Sequence, residues 1–210
     1  MGNYLIEFRL QGYAKKYLEK LIYEVSRKFK VRGKTKGKVV PHVMLFGPFT
    51  SSNEKEIVHT FLKVVRKYDL ITFKLHGFGN FDNRVIFVDI TPSKELIELR
   101  RNLAEELTSL RYLLLFKKVK TIGIGDYDKD YSFHTTIAFN DIEIKFGKIF
   151  SYLKDKKTPE IKQRLLRLSL IRNGKILYEY DFLHKKLLNR REATNREIYR
   201  QTVEKLREIR

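Results

Sequence analysis

Two hundred and ten residues, 42% of them hydrophobic, suffice for one domain with its own core and need no disulfide or metal to hold it. The absence of cysteine excludes a disulfide framework, a thiolate zinc site and a cysteine nucleophile, and no apolar run reaches the ~20 residues that cross a bilayer, so a cytoplasmic protein with no membrane partner is expected. A net charge of +19, from 44 Lys and Arg against 25 Asp and Glu, exceeds what a heat-adapted but sign-balanced surface would carry and points to a polyanion, nucleic acid before an anionic membrane.

In chain order, YLIEFRL (4–10) alternates as a strand, and apolar positions 14, 17, 18, 21, 22, 25 and 29 predict an amphipathic helix. Residues 27–38, RKFKVRGKTKGK, then hold seven basic residues and no acid, and Lys34, Lys36 and Lys38 are candidate contacts for substrate phosphates. A solvated helix end and loop would have the same composition. The strand VVPHVMLF (39–46) follows, then Asn53 with Glu56 three residues on, which marks a helix start, then apolar positions 57, 58, 61, 62, 65 and 68. LITFKLHGF (70–78) reads as a strand, and Gly77, Gly79 and Asn80 read as a loop after it.

From RVIFVDI (84–90) the pattern restarts. Pro92 and Ser93 open a helix with Leu96, Leu99, Leu103, Leu107 and Leu110 on one face, and after an insertion come the strand FHTTIAF (133–139), a short helix around 144–153 and the strand LLRLSLI (165–171). KILYEYDFL (175–183) is expected to pair with that last strand through the turn Asn173-Gly174. The chain thus reads as two β-α-β-α-β units, about 4–78 and 84–171, within a bilobal domain 1–189. A basic helix, 190–210, carries the stripe Ile198, Thr202, Leu206 and Ile209 and exposes Arg190, Arg191, Arg196 and Arg200, either to RNA or as a solvated face with Glu partners.

His42 and His134 stand at the same address in the two units, each in an otherwise apolar strand. Side chains two apart share a strand face, so His42 is grouped with Met44 and His134 with Thr136, while Val43, Leu45 and Ile137 point to the core. Two imidazoles on one cleft can take a proton from an attacking oxygen and give one to a leaving oxygen, and a hydroxyl beside them can hold a phosphoryl oxygen. Chance repetition of a core histidine is the competing reading.

HVMLFGPF and HTTIAF in this duplicated frame resemble the paired H-x-T-x motifs of the two-histidine (2H) phosphoesterases, in particular the LigT-like group of 2'-5' RNA ligases or RNA 2',3'-cyclic phosphodiesterases. GFGNFDNRVIFVDITPSKELIELRRNL resembles that group's stretch between the motifs, and the resemblance spans most of residues 1–183. It implies an α+β fold of two mostly antiparallel sheets flanking a basic cleft, with helices outside. It also implies a metal-independent and cofactor-free monomer that opens 2',3'-cyclic phosphate ends of RNA, with 2'-5' joining as the reverse direction, His42 and His134 acting as acid and base. One departure stands out: the family has Thr or Ser at the second position after both histidines, and here Met44 replaces it in the first motif. The lost donor is worth ~1–3 kcal/mol, about ten- to a hundred-fold in rate. That leaves open an RNA-binding descendant without turnover, and a small cyclic nucleotide remains a third substrate reading, though one that would not need the charge.

Other polar features carry less. DYDKD (126–130) imitates a calcium loop but has Tyr131 where that loop needs Gly and Ile137 where it needs Glu. His59, His76 and His184 lack neighbours at metal-ligand spacing, and neither a Walker loop nor a GxSxG elbow is present, which disfavours an ATP-driven ligase.

Overall fold

A computed structural model describes residues 1–31, 40–110, 114–115, 131–139, 141–156 and 159–209. Lys34, Lys36, Lys38 and the DYDKD stretch lie outside the described residues. The strands are β1 (Gly2–Arg9), β2 (His42–Ser51), β3 (Ile71–Phe81), β4 (Val85–Pro92), β5 (Leu114–Leu115), β6 (His134–Phe139), β7 (Glu160–Leu165), β8 (Arg167–Arg172), β9 (Lys175–Asp181) and β10 (Lys186–Asn189). The helices are α1 (Gly12–Phe29), α2 (Glu54–Val65), α3 (Lys94–Thr108), α4 (Phe146–Lys154), α5 (Arg190–Ala193) and α6 (Arg196–Glu208).

The fold is α+β, with two sheets whose described pairings are all antiparallel. Sheet A has the order β10-β9-β8-β1-β2-β5 and sheet B the order β6-β4-β3-β7. The two sequence units exchange their last strands: β1 and β2 lie in sheet A but β3 lies in sheet B, and β4 and β6 lie in sheet B but β8 joins β1 in sheet A. The pairing of β3 with β4 thus repeats that of β8 with β1.

Periodicity explains the core. Along β1, Tyr4, Ile6 and Phe8 are buried and Glu7 and Arg9 face the other side, while α1 buries Ala14, Leu18, Leu21, Ile22 and Val25 at helical spacing. Phe8 and Phe73, ring centroids 4.9 Å apart, join the cores of the two sheets. Asn53 caps α2 as its spacing from Glu56 predicts, accepting from the Glu56 amide at 3.2 Å and donating to its carboxylate at 2.9 Å. In α3 the expected stripe Leu96, Leu99, Leu103 and Leu107 is buried, together with Arg100, whose guanidinium stacks 3.6 Å from the Tyr131 ring centre.

Several boundaries differ from the sequence reading. Gly77, Gly79 and Asn80 are not a loop but the far end of β3: Gly77, at φ +79°, forms a bulge, and the turn is made instead by Asp82 and Asn83 at φ 46° and 58°. Gly79 is where the chain passes under Phe87, whose ring would lie 2.4 Å from any Cβ there. LLRLSLI is divided between β7 and β8, and β7 escapes a pattern reading because EIKQRL buries only Ile161 and Leu165. The Asn173-Gly174 turn forms as expected, with φ 49° and 73°.

The C-terminal tail is two helices, each started by an asparagine cap, Asn189 and Asn195. Thr202 is the one fully buried position of the expected stripe, whereas Ile209 is 60% exposed. Its hydroxyl donates to Asp181 at 2.5 Å and also meets Arg167, which bonds Asp181 at 3.0 Å and the Ile198 carbonyl at 2.9 Å. Burial alone would raise the Asp181 pKa, but the Thr202 hydroxyl, the His184 amide and Arg167 outweigh it and hold the carboxyl below its usual range. Arg190, Arg191, Arg196 and Arg200 are exposed, and Arg200 is paired with Glu197 at 2.7 Å. Among the described residues no helix is long and apolar enough to cross a membrane.

Candidate active site

Each histidine is the first residue of its strand, and β2 and β6 lie side by side although they belong to different sheets. The Tyr131 hydroxyl donates to the Met44 carbonyl and ties the approach to β6 directly to β2. His42 bonds through Nδ1 to the carbonyl of Val40 at 2.9 Å, and His134 through Nδ1 to the carbonyl of Ser132 at 2.8 Å. A carbonyl only accepts, so Nδ1 carries the hydrogen in both rings and Nε2 is left for proton transfer. Each strand turns its ring by holding it to the residue two positions earlier, a local device repeated at both addresses.

The surroundings differ. Beside His42, β1 presents Glu7 and Arg9: Arg9 pairs in register with His42 and Glu7 with Met44, and a Glu7 carboxylate oxygen lies 3.6 Å from His42 Nε2. The His42 side chain is 41% exposed. Arg9 turns to Glu179 at 3.1 Å, and Glu179 accepts from Ser169 at 2.6 Å and lies 3.5 Å from Arg167, so a chain of charges runs from the site edge to the tail helix.

His134 sits instead on an aromatic platform. Phe81 meets its ring edge-on at 4.9 Å, Phe87 is tilted against it at 4.9 Å, and Phe81 and Phe87 touch each other at 4.5 Å. Asp89 is its cross-strand neighbour. Burial lowers the His134 pKa below the usual 6.5, more than the Ser132 carbonyl and Asp89 raise it, and His42 pushes it the same way as burial.

Of the residues singled out from sequence, His42, Met44, His134 and Thr136 all lie half-buried on these two adjoining strands. The Thr136 hydroxyl has no protein partner among the described residues. Glu7, Asp89, Phe81, Phe87 and Tyr131 were not anticipated. A signal existed for the two acids, each a lone carboxylate in an apolar alternating strand, but strand pairing is needed to know which histidine each would meet. His59 and His76 are exposed, and His184 lies 3.4 Å from Asp181 in the tail network. Among the described residues no group of three or more His, Asp or Glu is placed to hold a metal ion.

Residues 22–176, which include both histidines, match the family model of the 2'-5' RNA ligase superfamily. The chain belongs to that superfamily. In backbone, this superfamily member is similar to the crystal structure of E. coli LigT complexed with NADP+, at 13% identity over 90% of this chain and 93% of that one, with a TM-score of 0.48. It is similar also to a crystal structure titled simply phosphoesterase, at 13% identity over 89% and 93% of the two chains and a TM-score of 0.47. Kluyveromyces marxianus Usb1 aligns at 14% identity over 90% and 97%, with a TM-score of 0.44. No curated protein matches the sequence. Glu7, Arg9 and helix α6 lie outside the span that the family model covers.

Proposed function

We propose that this superfamily member is a metal-independent phosphoesterase that opens 2',3'-cyclic phosphate ends of RNA, with His134 as general base and His42 as general acid. The observation that carries the reading is the matched Nδ1 anchoring, which leaves two Nε2 atoms on adjoining strands free for proton transfer. His134, held neutral by its apolar platform, takes a proton from water as the water oxygen bonds to phosphorus. The bond from phosphorus to one ribose oxygen breaks, and His42 Nε2 gives that oxygen its proton. Glu7 stands where an imidazolium at His42 finds an ion partner before the proton is given up. Thr136 offers its hydroxyl to a non-bridging oxygen, where charge builds in the transition state. A 5'-hydroxyl in place of water gives the joining reaction with the same proton traffic.

The test is incubation of the purified protein with EDTA and a short RNA ending in a 2',3'-cyclic phosphate, followed by identification of the product. A single phosphomonoester isomer is expected; an unchanged substrate end would overturn the proposal. A second reading, RNA binding without turnover, draws on Met44, whose thioether occupies the cleft-facing position two residues after His42 where a second hydroxyl would serve.

A further inference from the structure

The open face of sheet B continues past the histidine. In register, Thr91 lies beside Lys74 and Lys74 beside Lys162, and Thr72 lies beside Arg164. Alternation puts these exposed cations on the same side as Asp89, the neighbour of His134, and Thr91 is two residues along β4 from Asp89, about 7 Å. The cation row therefore starts at Lys74, on the strand beyond Asp89 and one rung further along, on the same face as the candidate base.

None of Lys74, Lys162 and Arg164 is paired with a carboxylate among the described residues, and none of the described residues lining the cleft beside them is an acid. Two lysines directly opposite in an antiparallel pair repel each other, a cost that a bound polyanion removes. Facing the row across this cleft of about 1140 Å³ is α6, which contributes Tyr199, Val203 and Leu206. The Tyr199 hydroxyl donates to Gln11 at 2.6 Å, and the buried Arg167–Asp181–Thr202 cluster fixes the same helix from behind. This wall is a docked element, and the cleft exceeds the roughly 300–1,000 Å³ usual for a small ligand.

We propose that this groove carries the RNA strand away from the histidines, with its phosphates on Lys74, Lys162 and Arg164 and its bases toward α6, so that the substrate is an oligonucleotide end and not a free cyclic mononucleotide. The proposal rests on the function given above and adds the path of the strand. The test compares a ten-nucleotide RNA ending in a 2',3'-cyclic phosphate with a nucleoside 2',3'-cyclic monophosphate, for the natural protein, a triple variant K74A/K162A/R164A and Val203→Glu. The natural protein should prefer the oligonucleotide at least tenfold in kcat/KM. The triple variant should lose that preference through KM, keep mononucleotide turnover and show a flatter dependence of RNA affinity on salt. Val203→Glu, which sets a carboxylate opposite the cations, should lose it too. Equal loss on both substrates, or no loss on either, would overturn the path. If the protein turns over neither substrate, the proposed function fails by itself, and fluorescence anisotropy with the same RNA still decides the path: it stands if the triple variant binds at least tenfold more weakly, and falls if affinity and salt slope are unchanged.

Discussion

His42 and His134 open equivalent strands and are held by the same hydrogen bond, yet one lies at a charged, half-open edge of sheet A and the other on a phenylalanine platform of sheet B. The duplicated frame supplies orientation twice. In the proposed mechanism, division of labour comes from what each sheet places beside the ring: a carboxylate to steady a proton to be given away, and apolar burial to keep a base neutral and ready to accept one. The hydroxyls are unequal as well, Thr136 on one strand against Met44 on the other.

The strongest way to break this comparison is to remove a ring. His42→Ala and His134→Ala should each lower turnover by about 10²–10⁴-fold with the fold intact by circular dichroism, since acid and base are both required. Substantial activity in either variant would mean that the pair does not act together. The next effect concerns the hydroxyls. Thr136→Val should slow the chemical step about ten- to a hundred-fold, and Met44→Thr should raise it several-fold by giving sheet A the donor that sheet B already has. Single-turnover rates measure both, and a fall on gaining the threonine would show that residue 44 does not face the phosphate.

Smaller effects sharpen the comparison. A base must be deprotonated to work, so kcat/KM should fall on the acidic side through the His134 pKa, below 6.5. Phe81→Ala admits water to the ring, removes part of the desolvation that depresses that pKa, and so should move the acidic limb to higher pH; NMR titration of the ring protons reads the same shift directly. If the limb stays in place, the platform does not set the base. Glu7→Gln should reduce turnover only several-fold, because it removes the carboxylate 3.6 Å from the acid and not the acid.

What was legible in the sequence follows from how local each signal is. The two histidines, their strands and their helices were readable because periods of 2 and 3.6 survive without knowledge of neighbours, and the Asn53 and Asn173-Gly174 signatures act within four residues. The aromatic platform was hidden because Gly77 and Gly79, read as a loop, serve a bulge and a close ring contact that keep Phe81 inside a strand. Glu7 and Asp89 became meaningful only with the strand register. The cation row was invisible for the same reason: Lys74 and Lys162 are far apart in the chain and adjacent only through the pairing of β3 with β7. The basic cluster that sequence reading favoured, Lys34, Lys36 and Lys38, lies outside the described residues.

The exchange of last strands between the sequence units has a practical corollary for anyone dividing the molecule. A fragment ending at the Asp82-Asn83 turn would keep β1 and β2 but leave β3 without β4 or β7 and β1 without β8, exposing hydrogen-bonding edges on apolar strands. Its counterpart would keep β4 and β6 and strand β8 without β1. Neither piece should fold alone, and the two expressed together should reassemble by restoring those pairings, which makes the Asp82-Asn83 turn a natural place to split the gene for a complementation reporter. The same interlocking should give the intact chain one sharp unfolding transition, both sheets melting together.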